Sequence, residues 1–275
     1  MNYINIDGKL VEVSEASVSY SNRAFRYGYG LFETMLLRDG QIELKQYHWE
    51  RLFTGLQQLY FDIPRLFTIA HLEEEVLRTV KKNKLETLCR IRLQVYAGNG
   101  GLYDAADQKP HYIIECFPLQ SEILSLNENG LQLCIADDLQ KSMDSLANLK
   151  SCNALIYSIA AQQAKQQRCN DALICNTAGN IIESTIANIF WVKDNIVHTP
   201  PLSEGCVAGV MRRHIIAALA AQQILVKETS LILGELHAAN EVFLTNAIRR
   251  IKWVASTDGI TYKKDIINTV YKTVY

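Results

Sequence analysis

The sequence predicts a mixed α/β protein built as two domains, and three observations predict it. Short alternating runs that suit strands are interleaved with amphipathic helical runs along the whole chain. The 275 residues suffice for one large or two modest domains. Near the middle, Pro118 to Gly130 has no apolar periodicity and carries Asn127, Glu128 and Asn129. That stretch reads as the boundary. Residues 1–118 form a smaller N-terminal α/β domain, 119–130 a linker, and 131–275 a larger C-terminal α/β domain.

In order, Tyr3–Ile6 and Leu10–Val13 flank Asp7-Gly8 as a short hairpin. The run Tyr20–Thr34 holds Gly28 and Gly30, which permit tight turns, and Leu31–Leu37 then reads as a strand. Asp39-Gly40 turns it into Ile42–Leu44. Gln46–Tyr60 is helical, with Trp49, Leu52, Phe53, Leu56 and Leu59 on one face. His71–Lys82 is a second helix, with Leu72, Val76, Leu77 and Val80 inward. In the strand Leu88–Ala97, Cys89, Ile91, Leu93 and Val95 alternate with Arg90, Arg92, Gln94 and Tyr96. The two arginines either meet solvent or bind a substrate carboxylate. A glycine-rich loop, Gly98–Tyr103, and the strand His111–Phe117 complete the first half.

Leu131–Ala136 restarts a sheet. Leu146–Asn153 precedes a helix running to about Arg168, whose apolar face is Leu155, Ile156, Ile159 and Ala160. Lys150 so close to a helix start is electrostatically odd, because the dipole there disfavours a cation. Asp171–Ile174 reads as a strand, and Gly179-Asn180 turns the chain back to Glu183. Ile189–Val192 and Ile196–Thr199 form a hairpin about Lys193-Asp194-Asn195, stopped by Pro200-Pro201. Gly209 leads into the helix Val210–Gln223, a helix start suited to an anion. Ile224–Lys227 and Glu241–Ala247 follow as strands, with Asp258-Gly259 as a further hairpin turn.

Composition excludes several functions. Hydrophobic residues make up 48% and charged residues 21%, as in ordinary globular chains, and the formal net charge of −1 favours neither nucleic acid nor a membrane surface. No apolar run is long enough to span a bilayer. The seven cysteines lie mostly in apolar runs without C-x-x-C spacing, and none pairs with a histidine at ligand spacing. They read as reduced, buried thiols of a cytoplasmic protein with no metal site.

The stretch Glu183–Arg212 carries the chemistry. Glu183-Ser184-Thr185-Ile186-Ala187-Asn188-Ile189-Phe190, then Thr199-Pro200-Pro201-Leu202 and Gly209-Val210-Met211-Arg212, resembles the core of the class IV pyridoxal-phosphate enzymes. The likeness extends over nearly the whole chain. It includes the run from Arg23 to Glu33, His48-x-x-Arg51-Leu52, Leu149-Lys150-x-x-Asn153 and Glu241–Asn246. The resemblance implies a two-domain D-amino acid aminotransferase-like fold with pyridoxal 5'-phosphate in the interdomain cleft, and a homodimer acting on a small-molecule amine. Lys150 is then the covalent attachment point and the acid/base, and Glu183 the partner of the ring nitrogen. Arg51, Thr185 or Ile186, Val210 and Met211 through their backbone, and Thr245 hold the phosphate. Most of these contacts come from the C-terminal domain. Guanidinium suits Arg51's role because its planar donors grip phosphate and stay charged.

Members of this family differ at the substrate. D-amino acid aminotransferases carry Tyr where this chain has Phe32. Branched-chain enzymes carry Gly at Thr34, Arg at Leu36 and Tyr at Ala154. The aminodeoxychorismate lyases carry Thr at Thr34 and a Gly-Gly loop followed by Tyr, similar to Gly100–Tyr103. The resemblance therefore implies a lyase forming 4-aminobenzoate and pyruvate from 4-amino-4-deoxychorismate, a step of folate biosynthesis, with Thr34 as a second catalytic group. Arg92, Tyr103 and Phe32 would contact the substrate. An aminotransferase acting on branched-chain or D-amino acids is the alternative, and a cofactor-binding protein without amine turnover the second. Two positions depart from the family pattern: Ala97 stands where an Arg often precedes the glycine-rich loop, and Asn170 replaces one member of an acidic pair.

Overall fold

The computed structural model describes residues 1–103 and 107–275. The chain divides into two compact units. The first holds Met1–Ile123 and, separately, Lys150–Asn153; the second holds Leu124–Leu149 and Ala154–Tyr275.

The first unit is built on an antiparallel sheet. Its strands are β1 (Tyr3–Ile6), β2 (Lys9–Glu12), β3 (Gly30–Arg38), β4 (Gln41–Ile42), β5 (Leu88–Ala97) and β6 (Pro110–Pro118), in the order β2-β1-β6-β5-β3-β4. A short helix α1 (Arg23–Tyr27) leads into β3; α2 (Lys45–Gln58) packs on β3, and α3 (Ile69–Lys82) on β1 and β6. Alternation sets the two faces. Met35, Ile91, Leu93 and Val95 are fully buried, as are Trp49, Leu52 and Leu56 on α2. Leu77, expected inward, is exposed instead. Leu72, Val76 and Val80 already supply the buried stripe of α3, and Thr79 and Glu75 complete it. The separate segment 150–153 extends this sheet. Phe32 N–H donates to the Lys150 carbonyl at 2.9 Å, and Cys152 N–H to the Gly30 carbonyl at 2.9 Å.

The second unit is a nine-stranded sheet. Its strands are β7 (Leu131–Lys141), β8 (Asp171–Asn176), β9 (Ile181–Ser184), β10 (Asn188–Lys193), β11 (Ile196–Thr199), β12 (Val226–Glu228), β13 (Glu241–Asn246), β14 (Arg250–Thr257) and β15 (Ile260–Thr261). Pairing of β9 with β10 closes β10-β13-β14-β7-β8-β9 on itself as a barrel. Leu133, Leu173, Ile181, Ile189, Leu244 and Val254 meet in its apolar core. Outside lie α4 (Leu155–Gln166) against β7 and β8, and α5 (Val210–Ala221) and α7 (Asp265–Val274) against β13. A short α6 (Leu233–His237) precedes β13. Among the described residues no helix is long and apolar enough to cross a membrane.

Several elements differ from the sequence reading. Helix α4 starts five residues after Lys150, so the lysine stands in extended chain rather than at a helix end. Its buried face is Ala160 and Ala164, packed with Ile156 and Tyr157, whereas Leu155 and Ile159 are exposed. Small residues allow close approach of the helix to the sheet, so volume rather than hydrophobicity marks the contact. Strand β9 and helix α7 add to the elements expected from the sequence, and β12 starts two residues after Ile224.

Candidate active site

In the first unit the site is built around β3. Phe32 and Thr34 point to one face of the strand and Glu33 to the other. Lys150 Nζ stands 4.5 Å from the centre of the Phe32 ring, and the Arg92 guanidinium 4.0 Å from it. Arg92 is the cross-strand partner of Thr34, so hydroxyl and guanidinium share the face that the Phe32 ring occupies. Arg92 also donates to Gln94 Oε1 at 2.9 Å and lies 3.8 Å from Glu115.

Behind that face sits a buried ionic cluster. Glu33, 1% exposed, accepts Arg51 Nε–H at 2.8 Å on one oxygen and Arg51 Nη2–H at 2.5 Å on the other. His48 Nδ1 lies 2.6 Å from the second oxygen. Burial alone would raise the Glu33 carboxyl, but Arg51 and His48 hold it down at about 2. Burial lowers His48 despite Glu33, with Arg51 and Lys150 adding to the fall, so the imidazole is neutral and its Nδ1–H donates.

The preceding loop is fixed from within the same unit. Arg23 is fully buried and donates to the carbonyls of Gly98 and Asp107. A Cβ at Gly28, whose φ is +67°, would fall 2.4 Å from Asn153 Oδ1, so only glycine lets Asn153 pack there. Tyr103 is 81% exposed, its ring 5.1 Å from that of Tyr27.

In the second unit Glu183, Asn188 and Thr245 form a row of cross-strand partners on the outer side of the barrel. Glu183 is 2% exposed and fully engaged. One oxygen takes Lys141 Nζ at 2.6 Å and Tyr157 Oη at 2.8 Å; the other takes Val207 N–H at 2.9 Å. Burial, with the carboxylate beside it, pushes the Tyr157 phenol far up, so it remains a donor. Neither Lys141 nor Tyr157 stood out in the sequence. Tyr157 sits on the sheet-facing side of α4, a periodicity signal that could have found it; Lys141, at the end of β7, gives none.

At the next position Asn188 donates to the Val207 carbonyl at 2.9 Å and packs on Gly209, where a Cβ would lie 1.8 Å from its Oδ1. Gly209 is the N-cap of α5, and no side chain caps that end. Val210 and Met211 are the first residues of the helix and are buried. Thr245 Oγ1 is buried with no hydrogen-bond partner among the described residues. An uncapped helix start on a glycine, beside an orphaned hydroxyl on the same sheet face, is a donor set that fits an oxyanion. Two nearby motif residues have protein partners of their own. The Thr185 hydroxyl donates to Asp171 at 2.5 Å, and Arg212 donates to the Pro200 carbonyl at 2.8 Å and pairs with Glu228. Ile186 is half exposed.

Comparison with known proteins places the chain in a family. The profile of the family described as "Amino-transferase class IV" matches residues 30–256. This chain belongs to the class IV aminotransferase family. An aminodeoxychorismate lyase of Vibrio harveyi is 30% identical over 254 residues, covering 92% of this chain and 91% of that one. A Methanocaldococcus jannaschii protein provisionally named a branched-chain-amino-acid aminotransferase is also 30% identical, over 93% of this chain and 88% of its own length. Among solved structures, a provisionally assigned 4-amino-4-deoxychorismate lyase of Legionella pneumophila superposes with a TM-score of 0.83 at 29% identity, covering 94% of each chain. The branched-chain aminotransferase of Thermoproteus uzoniensis gives 0.89 at 24% identity, over 99% of this chain and 93% of that one, a likeness of fold. Relatives named for either reaction type are thus found at 30% identity.

Proposed function

We propose that this class IV enzyme is a pyridoxal-phosphate-dependent lyase that converts 4-amino-4-deoxychorismate to 4-aminobenzoate and pyruvate. One observation carries the choice: Thr34 shares the β3 face of Phe32, over whose ring Lys150 stands, with Arg92 as its cross-strand neighbour. Base, hydroxyl donor and cation are thus all carried on one face.

When bound, pyridoxal phosphate supplies the electron sink that lets the carbon bearing the substrate amine lose its proton. Lys150 would hold the cofactor covalently, and its Nζ would take the proton from that carbon. Glu183, fixed by Lys141, Tyr157 and Val207 N–H, would meet the ring nitrogen. Arg51, the first N–H groups of α5 at Val210 and Met211, and the Thr245 hydroxyl would hold the phosphate. Thr34 Oγ1–H donates a proton to the ether oxygen as its bond to the ring breaks. The electron pair of the lost C–H bond completes the aromatic ring, and the enol released becomes pyruvate. Arg92 offers the substrate a carboxylate partner.

Incubating the pure enzyme with aminodeoxychorismate, and separately with pairs of amino and keto acids, tests this reading. Pyruvate and 4-aminobenzoate are expected from the first. Turnover confined to the pairs would overturn the lyase reading in favour of an aminotransferase, the reading favoured by the 30% identity to the archaeal protein. We also propose a homodimer, on the family resemblance alone; light scattering that gives a monomer with full activity at high dilution would refute it.

A further inference from the structure

We propose that Glu33 is a positioning residue for cofactor phosphate binding: its carboxylate fixes the direction of the Arg51 guanidinium, and His48 fixes Glu33 in turn. The inference rests on the reading of Arg51 as a phosphate ligand.

The geometry argues for direction rather than charge. Glu33 receives Arg51 as a fork, Nε–H on one oxygen and Nη2–H on the other, which sets the guanidinium plane as a single contact would not. His48 and Arg51 are three residues apart on α2 and so emerge on one side of it. Both reach the same buried carboxylate, and the imidazole prevents Glu33 from swinging away. Arg51 is 13% exposed at its side chain, so the fork is screened little by solvent. A site that attracted phosphate by charge alone would be better without Glu33, whose negative charge cancels that of Arg51 and repels an incoming dianion. A carboxylate buried at that cost contributes through geometry. A long, flexible arginine pays conformational entropy each time it is ordered by a ligand, and pre-orientation removes that cost.

Charge and geometry predict opposite signs, which makes the test decisive. The full-length chain, freed of cofactor, is titrated with pyridoxal 5'-phosphate and with pyridoxal, which lacks the phosphate. The ratio of the two dissociation constants measures phosphate discrimination. In Glu33→Gln we expect this ratio to fall by about ten- to a hundredfold, the scale of one charge-assisted contact, with pyridoxal binding almost unchanged. Glu33→Asp keeps the charge but is too short to fork Arg51 in the same plane. It should lose discrimination too, and it decides the matter if Glu33→Gln fails to fold by its melting curve. A ratio that rises or stays constant in these variants overturns the positioning role. Arg51→Ala is the separate control. If it leaves the ratio unchanged, the reading of Arg51 as a phosphate ligand fails, and the inference with it. If Arg51→Ala collapses the ratio while both Glu33 variants preserve it, only the inference fails.

Discussion

Acid should destabilise the first unit through the Glu33–His48–Arg51 cluster, and the size of the effect follows from the structure. An ordinary glutamate titrates near 4.5, whereas Glu33 is held at about 2 in the folded chain despite burial, by Arg51 and His48. The folded value is depressed, so this stabilisation is fully present above 4.5 and is lost as pH falls toward 2. That interval, at about 1.4 kcal/mol per pH unit, is worth about 3 kcal/mol. His48 acts in the same direction. Burial lowers it from 6.5, so its contribution is present above 6.5 and begins to fall below that pH. Trp49 on α2 is the only tryptophan of the first unit, the others being Trp191 and Trp253. Urea unfolding followed by Trp49 fluorescence, in a Trp191→Phe/Trp253→Phe background, therefore reports the first unit alone. Between pH 5 and 2 the parent should lose about 3 kcal/mol more than its Glu33→Gln variant. Parallel loss in the two would refute the ionised, forked pair.

Three further outcomes are expected. Borohydride reduction of the enzyme with pyridoxal phosphate, followed by peptide mapping, should place the pyridoxyl group on Lys150; label on another lysine would remove the assignment. Thr34→Val keeps the strand's shape and deletes the hydroxyl, so lyase turnover should fall by roughly 10²-fold with cofactor affinity intact, and an unchanged rate would show that Thr34 is not the proton donor. Glu241, 3% exposed, accepts the N–H groups of Ile266 and Ile267 at 2.7 and 2.8 Å and so caps α7. Glu241→Ala should cost about 3 kcal/mol of stability by calorimetry while leaving cofactor affinity unchanged.

What the sequence revealed was local. The ends of β5 and β11 match the expected strands, because alternation and turn residues are written in adjacent positions. Closure of the barrel depends on one pairing, Asn188 with Glu183, across a tight return that no periodicity marks. The motif around Glu241 shows the limit of reading function from a pattern. Its carboxylate caps α7, a partner that lies outside the motif. At the candidate site, Lys150, Glu183 and Arg51 could be named from motifs. Their immediate partners could not. Lys141 and Tyr157 meet Glu183 only because β7, α4 and β9 pack together, and Glu33 was legible as a strand residue but not as the partner of Arg51. Motifs record residue types and spacing, whereas partnership is decided by packing.

The four residues 150–153 have a consequence for anyone who would take the protein apart. The chain leaves the first unit after Ile123, spends residues 124–149 in the second, returns for Lys150–Asn153, and departs again. No single cut yields the complete first unit free of second-unit chain. A fragment ending at Ile123 would expose the Phe32 N–H and the Gly30 carbonyl, the two groups to which the returning segment bonds. During synthesis the same order holds: the sheet of the first unit waits for its last segment, Lys150–Asn153, until residues 124–149 of the second unit have been made. Fragments cut after Ile123 could regain Lys150–Asn153 only by reassociating, so their complementation would report how far this short loan of chain is held by its own hydrogen bonds.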